Sequence, residues 1–490
     1  IVQIAWQLHS KEGELMEQYE CLIQPDGFDI PFDSERIHGI STALAQKEGL
    51  SLNKAIDTFE NALAKAQFVV GQNVDFDSKV VAAELYRLGR STELLIDKPV
   101  LDTCTETTAA LCQLPGGRGG RFKLPTLTEL HQHLFQSPFE DAHNASADVS
   151  ATARCFFELI RTRLFSSEQL HFSQKEIEAF LALHEAPVRA FKLKHRNLKE
   201  ASEALKKSFS SGELEALPTD AQRIKVAQAP FAHLHVHSQF SVLQATMRPE
   251  EIVRKAVEEE MPAVALTDNG NMMGVFSFVN AVQQHNKAYP DKPLKGIVGC
   301  ELQVTSDHRN KSTKDNGYQL VLLAKNKKGY QNLSKLTSKA YTEGFYYVPR
   351  IDKALLLEHA EGLLVLSGNL LGEVANKILT QGEQQAEEAL LWYKEQFSTD
   401  FYLQIMRHGL EEEDAVNKIL IKLAKKHQVE LVATNDCYYE NSEDQELQDL
   451  LLCVKEGELK ETPIGKGRGY RNGLPNNAFH FKSSVAMKAL

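Results

Sequence analysis

From Phe231 to Tyr439 the sequence repeats one pattern, a short apolar run that reads as a strand followed by a longer stretch that reads as a helix. The runs are Leu234-His235-Val236, Ala263–Leu266, Gly296–Val304, Gln319–Leu323, Leu363–Leu366, Phe401–Ile405 and Leu431–Thr434. Short apolar runs separated by helical segments mark buried strands joined by crossovers. Seven of them predict a parallel α/β barrel, or something close to one, over residues 229–458. In such a barrel the chemistry collects at the C-terminal strand ends.

Residues 1–162 mix strands and helices in another order and predict a separate compact α/β domain. Ile1–Leu8 and Tyr19–Gln24 read as neighbouring strands, and Phe68–Gly71 as a short buried one. Ser51–Ala66 and Ala145–Arg161 carry the 3.6-residue apolar period of packed helices. Between the two domains, 163–228 is helical and charged, with breaks at Ser208–Gly212 and Leu217–Asp220, and reads as a connector. Its basic residues from Lys192 to Lys207 read first as a solvated helix face. Residues 459–490 are Gly-rich and read as the start of a further region. The chain opens inside a strand-like run at Ile1 and stops within an element at Leu490, so a fragment of a longer protein is expected.

Composition excludes little. The net charge of −11 argues against a uniformly basic nucleic-acid binder, but not against an enzyme that meets nucleic acid in one groove. Seven cysteines, none in a C-x-x-C pair, fit a reducing compartment without a disulfide framework. No apolar run approaches the roughly 20 residues of a membrane span, and a cytoplasmic location is expected.

Two constellations carry chemistry. In the first domain, Val69–Asp77 leads a strand into a helix that carries Asp77, and His143 and Asp148 form an H-x4-D pattern at a helix start. Lys123–Leu130 is a basic approach to another helix. Phosphodiester cleavage needs a nucleophilic water and neutralisation of the phosphate, which paired Mg²⁺ ions on carboxylates supply. A neutral histidine beside that water is suited to act as general base.

The N-x-x-x-D and H-N-A-x-x-D segments resemble the DEDDh-type 3′–5′ proofreading exonucleases, which have a ribonuclease H-like fold. The resemblance implies that Asp77 and Asp148 are metal carboxylates for Mg²⁺ or Mn²⁺ and that His143 is the general base. It implies that Asn73 shapes the loop before Asp77, and that His38 and Gly39 line the primer-end pocket on single-stranded DNA. Gln72 stands where the family usually has histidine. The family's first motif, Asp-x-Glu, belongs on a strand ahead of Ile1, so little or no exonuclease activity is expected of this chain alone.

The second constellation opens with Phe231–Ser238, where strand alternation places His233, His235 and His237 on one face. Imidazoles at that spacing are frequent Zn²⁺, Mn²⁺ or Fe ligands. Asp268, Glu301 and Asp436 fall at later strand ends. With Gly344–Asp352, Leu403–Leu410 and Asp449–Glu456, the series resembles the PHP domain of bacterial DNA polymerase III alpha subunits. The resemblance implies metal positions at His235, His237, Glu301 and Asp436. Asn269, Tyr438, Gln319, Asn369 and Gln244 replace ligands common in metal-binding members, so a degenerate, stabilising PHP domain is expected, its Zn²⁺ or Mn²⁺ content open.

An exonuclease fused directly to a PHP domain, with the Leu114–Gly120 loop, resembles alpha subunits of the Bacteroidetes-like type. That implies a replicative polymerase whose palm lies beyond Leu490, with primer DNA, a sliding clamp and a clamp loader as partners. A stand-alone nuclease or phosphoesterase, and a non-catalytic scaffold that binds DNA or partners, are the alternatives.

Overall fold

The structure is a computed structural model and describes residues 1–115, 121–139, 144–170, 172–191, 196–210, 220–465 and 470–490. His143 and the glycine-rich part of the Leu114–Gly120 loop lie outside the described residues. The chain divides into two compact units, 1–214 and 215–490.

In the first unit, β1 (Gln3–His9) and β2 (Leu15–Leu22) form an antiparallel pair. Strands β3 (Val69–Gly71) and β4 (Val100–Asp102) form a separate parallel pair. Helix Ala145–Arg161 lies along β1, where Gln7 Nε2 donates to Ser150 Oγ at 3.0 Å. Its apolar face carries Phe156, Phe157 and Ile160, which pack with Phe172, Ile177 and Phe180. Each such buried side chain contributes about 2 kcal/mol. Two helices from the stretch read as a connector, Gln174–Leu183 and Leu198–Ser210, are thus part of this unit, the second through Leu198 and Leu205 against Ile40 and Leu44.

The second unit is built on a seven-stranded sheet. Its strands are β5 (Ala263–Leu266), β6 (Lys295–Thr305), β7 (Tyr318–Ala324), β8 (Arg350–Asp352), β9 (Leu363–Leu366), β10 (Phe401–Ile405) and β11 (Glu430–Ala433). The order is β11-β10-β9-β7-β6-β5, with β8 also on β6. Six of the expected runs are strands, but two expectations need correction. The sheet is mixed, because β7 runs antiparallel to both β6 and β9. No helix separates β6 from β7, so the chain turns straight back as a hairpin. Leu234–Val236 is not a strand; only Val236 bridges, to Cys437, while β8 supplies the seventh strand.

The 231–237 segment departs from a regular ladder because the Val236 N–H goes to the Thr267 hydroxyl rather than to a carbonyl. It still spans both ends of the sheet. Ala265 donates to the His233 carbonyl beyond β5, and His237 donates to the Cys437 carbonyl beyond β11. The curled sheet is therefore clasped by this one segment. Residues 477–482 run beside the same wall, with Tyr438 N–H on Phe479 O and Phe481 N–H on Tyr439 O, both at 2.9 Å.

Candidate metal centre and candidate exonuclease site

The clasp delivers two imidazoles to the interior. His235 and His237 are fully buried, and their Nε2 atoms face carboxylates from strands far away in sequence. His235 Nε2 lies 2.8 Å from Glu301 Oε2 and 3.6 Å from Asp436 Oδ1, and His237 Nε2 lies 2.9 Å from the same Asp436 oxygen. Glu301 sits on β6, and Asp436 follows β11. All four expected residues of this constellation converge.

His233 does not join them. Without regular alternation its ring turns to the other side, bonds the Lys482 carbonyl at 2.8 Å and packs against Phe231 and Phe481. Burial pushes its imidazole down to about 4, so it is neutral. Asp268 is also separate: its oxygens accept from the Ser238 N–H, the Ser238 hydroxyl and the Ser241 hydroxyl at 2.7–2.8 Å, which ties down the turn after the clasp.

Electrostatics inside the cluster are those of a buried ion pair. Burial alone lowers the His235 imidazole, but Asp436 and then Glu301 outweigh it and raise His235 above its ordinary value. Burial alone raises the Asp436 carboxyl, yet His235, His237 and the Asn369 amide hold it well below the usual carboxylate range. Asn369 Nδ2 donates to Asp436 Oδ2 at 2.9 Å.

Sequence reasoning missed the groups that orient these rings. Gln404 on β10 faces His235 Nδ1 at 2.9 Å and Thr434 Oγ1 at 2.6 Å, while its own oxygen has no hydrogen-bond partner among the described residues. An imidazolium at His235 needs an acceptor at Nδ1, and the Gln404 oxygen supplies it when the amide is turned over. His408 bonds Glu413 at 2.6 Å, stacks on Phe479 and accepts from the Asp436 N–H at 3.4 Å, which holds the Asp436 backbone. The inward alternation of Leu403-Gln404-Ile405 was the available signal for Gln404; nothing in sequence pointed to Glu413.

The donor set fits one divalent ion. Ligand atoms of His235, His237 and Asp436 lie within 4.8 Å of one another, all buried, with Glu301 alongside. Two nitrogens and carboxylate oxygens suit Zn²⁺ or Mn²⁺. Partners on the far ring nitrogens, Gln404 and the Ser241 hydroxyl at 3.4 Å, are of the kind that orient ligating histidines.

In the first unit, Asp77 and Asp148 lie in the first turns of helices Val74–Arg87 and Ala145–Arg161. Asp77 is exposed and Asp148 is half-buried. Asn73 adopts the left-handed conformation (φ 58°) between β3 and its helix, and Asp102 at the end of β4 accepts from the N–H groups of Asn73 and Val74 at 2.9 and 3.1 Å. Gln72 donates to the Pro125 carbonyl at 2.8 Å, so a glutamine here anchors the Lys123–Leu130 segment. His38 accepts from the Ile40 N–H at 3.0 Å, and Gly39 is buried at φ 74°, where an added Cβ would lie 2.8 Å from the Lys199 nitrogen. Both carboxylates are hard oxygen donors of the type Mg²⁺ takes.

Comparison with known proteins follows this division. Residues 2–156 match the family model described as an exonuclease, and residues 233–408 match the PHP domain. The DNA polymerase III alpha subunit of Borreliella burgdorferi is 37% identical over 261 residues, which is 52% of this chain and 22% of that protein. Those of Treponema pallidum (39% over 270 residues, 54% of this chain) and Chlamydia trachomatis (38% over 280 residues, 51% of this chain) are similar. The chain covers 22% of the length of each of these three relatives. It thus joins an exonuclease domain to a PHP domain and is homologous, over about half its length, to bacterial DNA polymerase III alpha subunits.

Proposed function

We propose that this chain is the proofreading and PHP portion of a replicative DNA polymerase of the Bacteroidetes-like alpha-subunit type. The observation that supports it most is the coexistence of the two domains in one chain whose relatives replicate DNA. In this reading the first unit removes mispaired nucleotides from a primer 3′ end. Bound Mg²⁺ would supply phosphate neutralisation and a metal-bound water. Asp77 and Asp148 would hold the ions, His143 would take the proton from the attacking water, and His38, Gly39 and Asn73 would seat the unpaired strand.

The PHP portion is read as a stabilising domain with room for one ion on His235, His237, Glu301 and Asp436. Amides at Asn269, Asn369 and Gln319 leave too few anionic or imidazole donors for a multinuclear phosphoesterase. A bound ion would act as a Lewis acid toward a phosphate. The chain's own residues would set its place, with Gln404 orienting His235 and His408 holding the Asp436 backbone.

The test is digestion of a 3′-labelled mispaired primer with Mg²⁺, by this chain and by a version extended with an Asp-x-Glu strand. Weak hydrolysis that rises on extension and falls at least about 100-fold in His143→Ala supports the reading. Equal activity of the extended protein and its His143→Ala variant would overturn it.

A further inference from the structure

A second group of residues of metal-ligating type lies outside both sites, at the far end of β6. The β6–β7 hairpin loop carries Asp307 and His308, β8 ends in Asp352, and helix Lys327–Thr342 ends at Glu343. Ligand atoms of Asp307, His308 and Asp352 lie within 4.8 Å of one another.

The histidine carries the argument. His308 is 6% exposed, and its Nε2 is buried without a hydrogen-bond partner among the described residues. A buried nitrogen left in this state loses the hydration it had in the unfolded chain, a cost of about 1–3 kcal/mol unless something binds it. Its other nitrogen is committed, since Nδ1 meets Asp352 Oδ2 at 2.5 Å. Two ligands of one tetrahedral ion sit about 3.4 Å apart, given metal–ligand bonds of roughly 2.1 Å. The His308–Asp352 contact is a short hydrogen bond that engages Nδ1. It commits Nδ1 to Asp352 and leaves Nε2 as the nitrogen available to a ligand. A carboxylate on the outer nitrogen is the usual partner of a metal-ligating imidazole.

Across from Nε2 stands Glu343, with Oε2 at 3.9 Å, half an ångström beyond that ligand–ligand spacing and too far for a hydrogen bond. The frame around the two residues is built. Fully buried Arg350 donates to the carbonyls of His308, Asn310, Asp315 and Gly344 at 2.8–3.2 Å, which fixes the backbone beside both His308 and Glu343. Asp352 is fixed in turn by the Leu355 N–H at 2.8 Å. Arg309, 2.7 Å from Glu343, is the group an incoming cation must displace or share.

We propose that His308 Nε2 and Glu343 form the protein side of a second cation site, for a borderline divalent ion such as Zn²⁺. Imidazole with carboxylate selects this class over Mg²⁺ and Ca²⁺, which take oxygen ligands. The site does not depend on the occupancy of the His235 cluster or on the proofreading reading.

The experiment uses the whole chain with the first cluster disabled by His235→Ala and Asp436→Asn, dialysed against micromolar Zn²⁺ and assayed for bound metal by mass spectrometry. About one zinc per chain is expected to remain, to be lost in His308→Gln, and to bind at least about tenfold more weakly in Glu343→Gln. Glu343→Gln leaves the His308–Asp352 bond intact, so its effect is separable from misfolding, which thermal unfolding of each variant monitors. Zinc retention equal to the parent in both variants, or no zinc in the parent, would overturn the proposal.

Discussion

Replacing Asp436 by asparagine removes the one carboxylate that both buried imidazoles share. Two effects add. At every pH the change weakens bonds to His237 Nε2 and Asn369 Nδ2, both 2.9 Å long. Disrupting a buried charge pair of this kind costs about 3–5 kcal/mol. The second effect depends on pH. Asp436 raises His235 above its unfolded value, so its protonation stabilises the fold below roughly pH 6.5, and that contribution fades as pH rises through the folded pKa. Without Asp436, Glu301 alone opposes burial, and protonation of His235 stabilises the fold less. Each pKa unit supplied by Asp436 is worth about 1.4 kcal/mol. The loss should therefore be largest near pH 6 and shrink toward pH 9. Urea unfolding in EDTA, read by Trp392 in a Trp6→Phe background, isolates the second unit. Parallel stability–pH curves for parent and variant, or a loss below about 1 kcal/mol near pH 6, would refute the shared-carboxylate reasoning.

Further outcomes follow from other buried groups. Arg350→Met removes the guanidinium from four carbonyls and should cost about 3–5 kcal/mol in the same urea assay. Glu373, held below the ordinary glutamate range against its burial by Lys353 and Lys377 and bonded by the Tyr393 hydroxyl, should make Glu373→Gln about 2–4 kcal/mol less stable at neutral pH. That difference should close as pH falls through the folded pKa of Glu373, and a gap that persists in strong acid would contradict it. Exposed Gln428 caps helix Glu411–His427 at φ 52°, so Gln428→Gly should raise stability by about 0.5–1 kcal/mol, measured by thermal unfolding.

Much of the second unit was legible because its strands are apolar runs whose neighbours are helical, a pattern set by burial on both faces. What escaped was written in other terms. Arg350–Asp352 offers one apolar residue between two charged ones, and it pairs with β6 because the guanidinium is satisfied by loop carbonyls that no local rule predicts. The reversal of β7 depends on what the 306–317 link lacks, which periodicity does not report. His235 and His237 were found by their spacing, and Glu301 and Asp436 as carboxylates at expected strand ends, whereas Gln404 and His408 act through groups contributed by distant parts of the chain. The His233 expectation failed because alternation holds only in a regular strand, and a Thr267 hydroxyl interrupts this one. In the first unit, the tie between Gly39 and helix Leu198–Ser210 was invisible, since it joins segments separated by more than 150 residues.

The clasp also orders events in time. His237 meets a carboxylate 199 positions later in the chain, and His235 meets one 66 positions later. A ribosome adding about 5–20 residues per second needs roughly 10–40 s to make the longer span. For most of that interval His235 already has Glu301 within the synthesised chain, while His237 still lacks Asp436. The donor set of His235, His237 and Asp436 is complete only after Asp436 has emerged, so any ion it holds arrives late and reports that synthesis has passed this point.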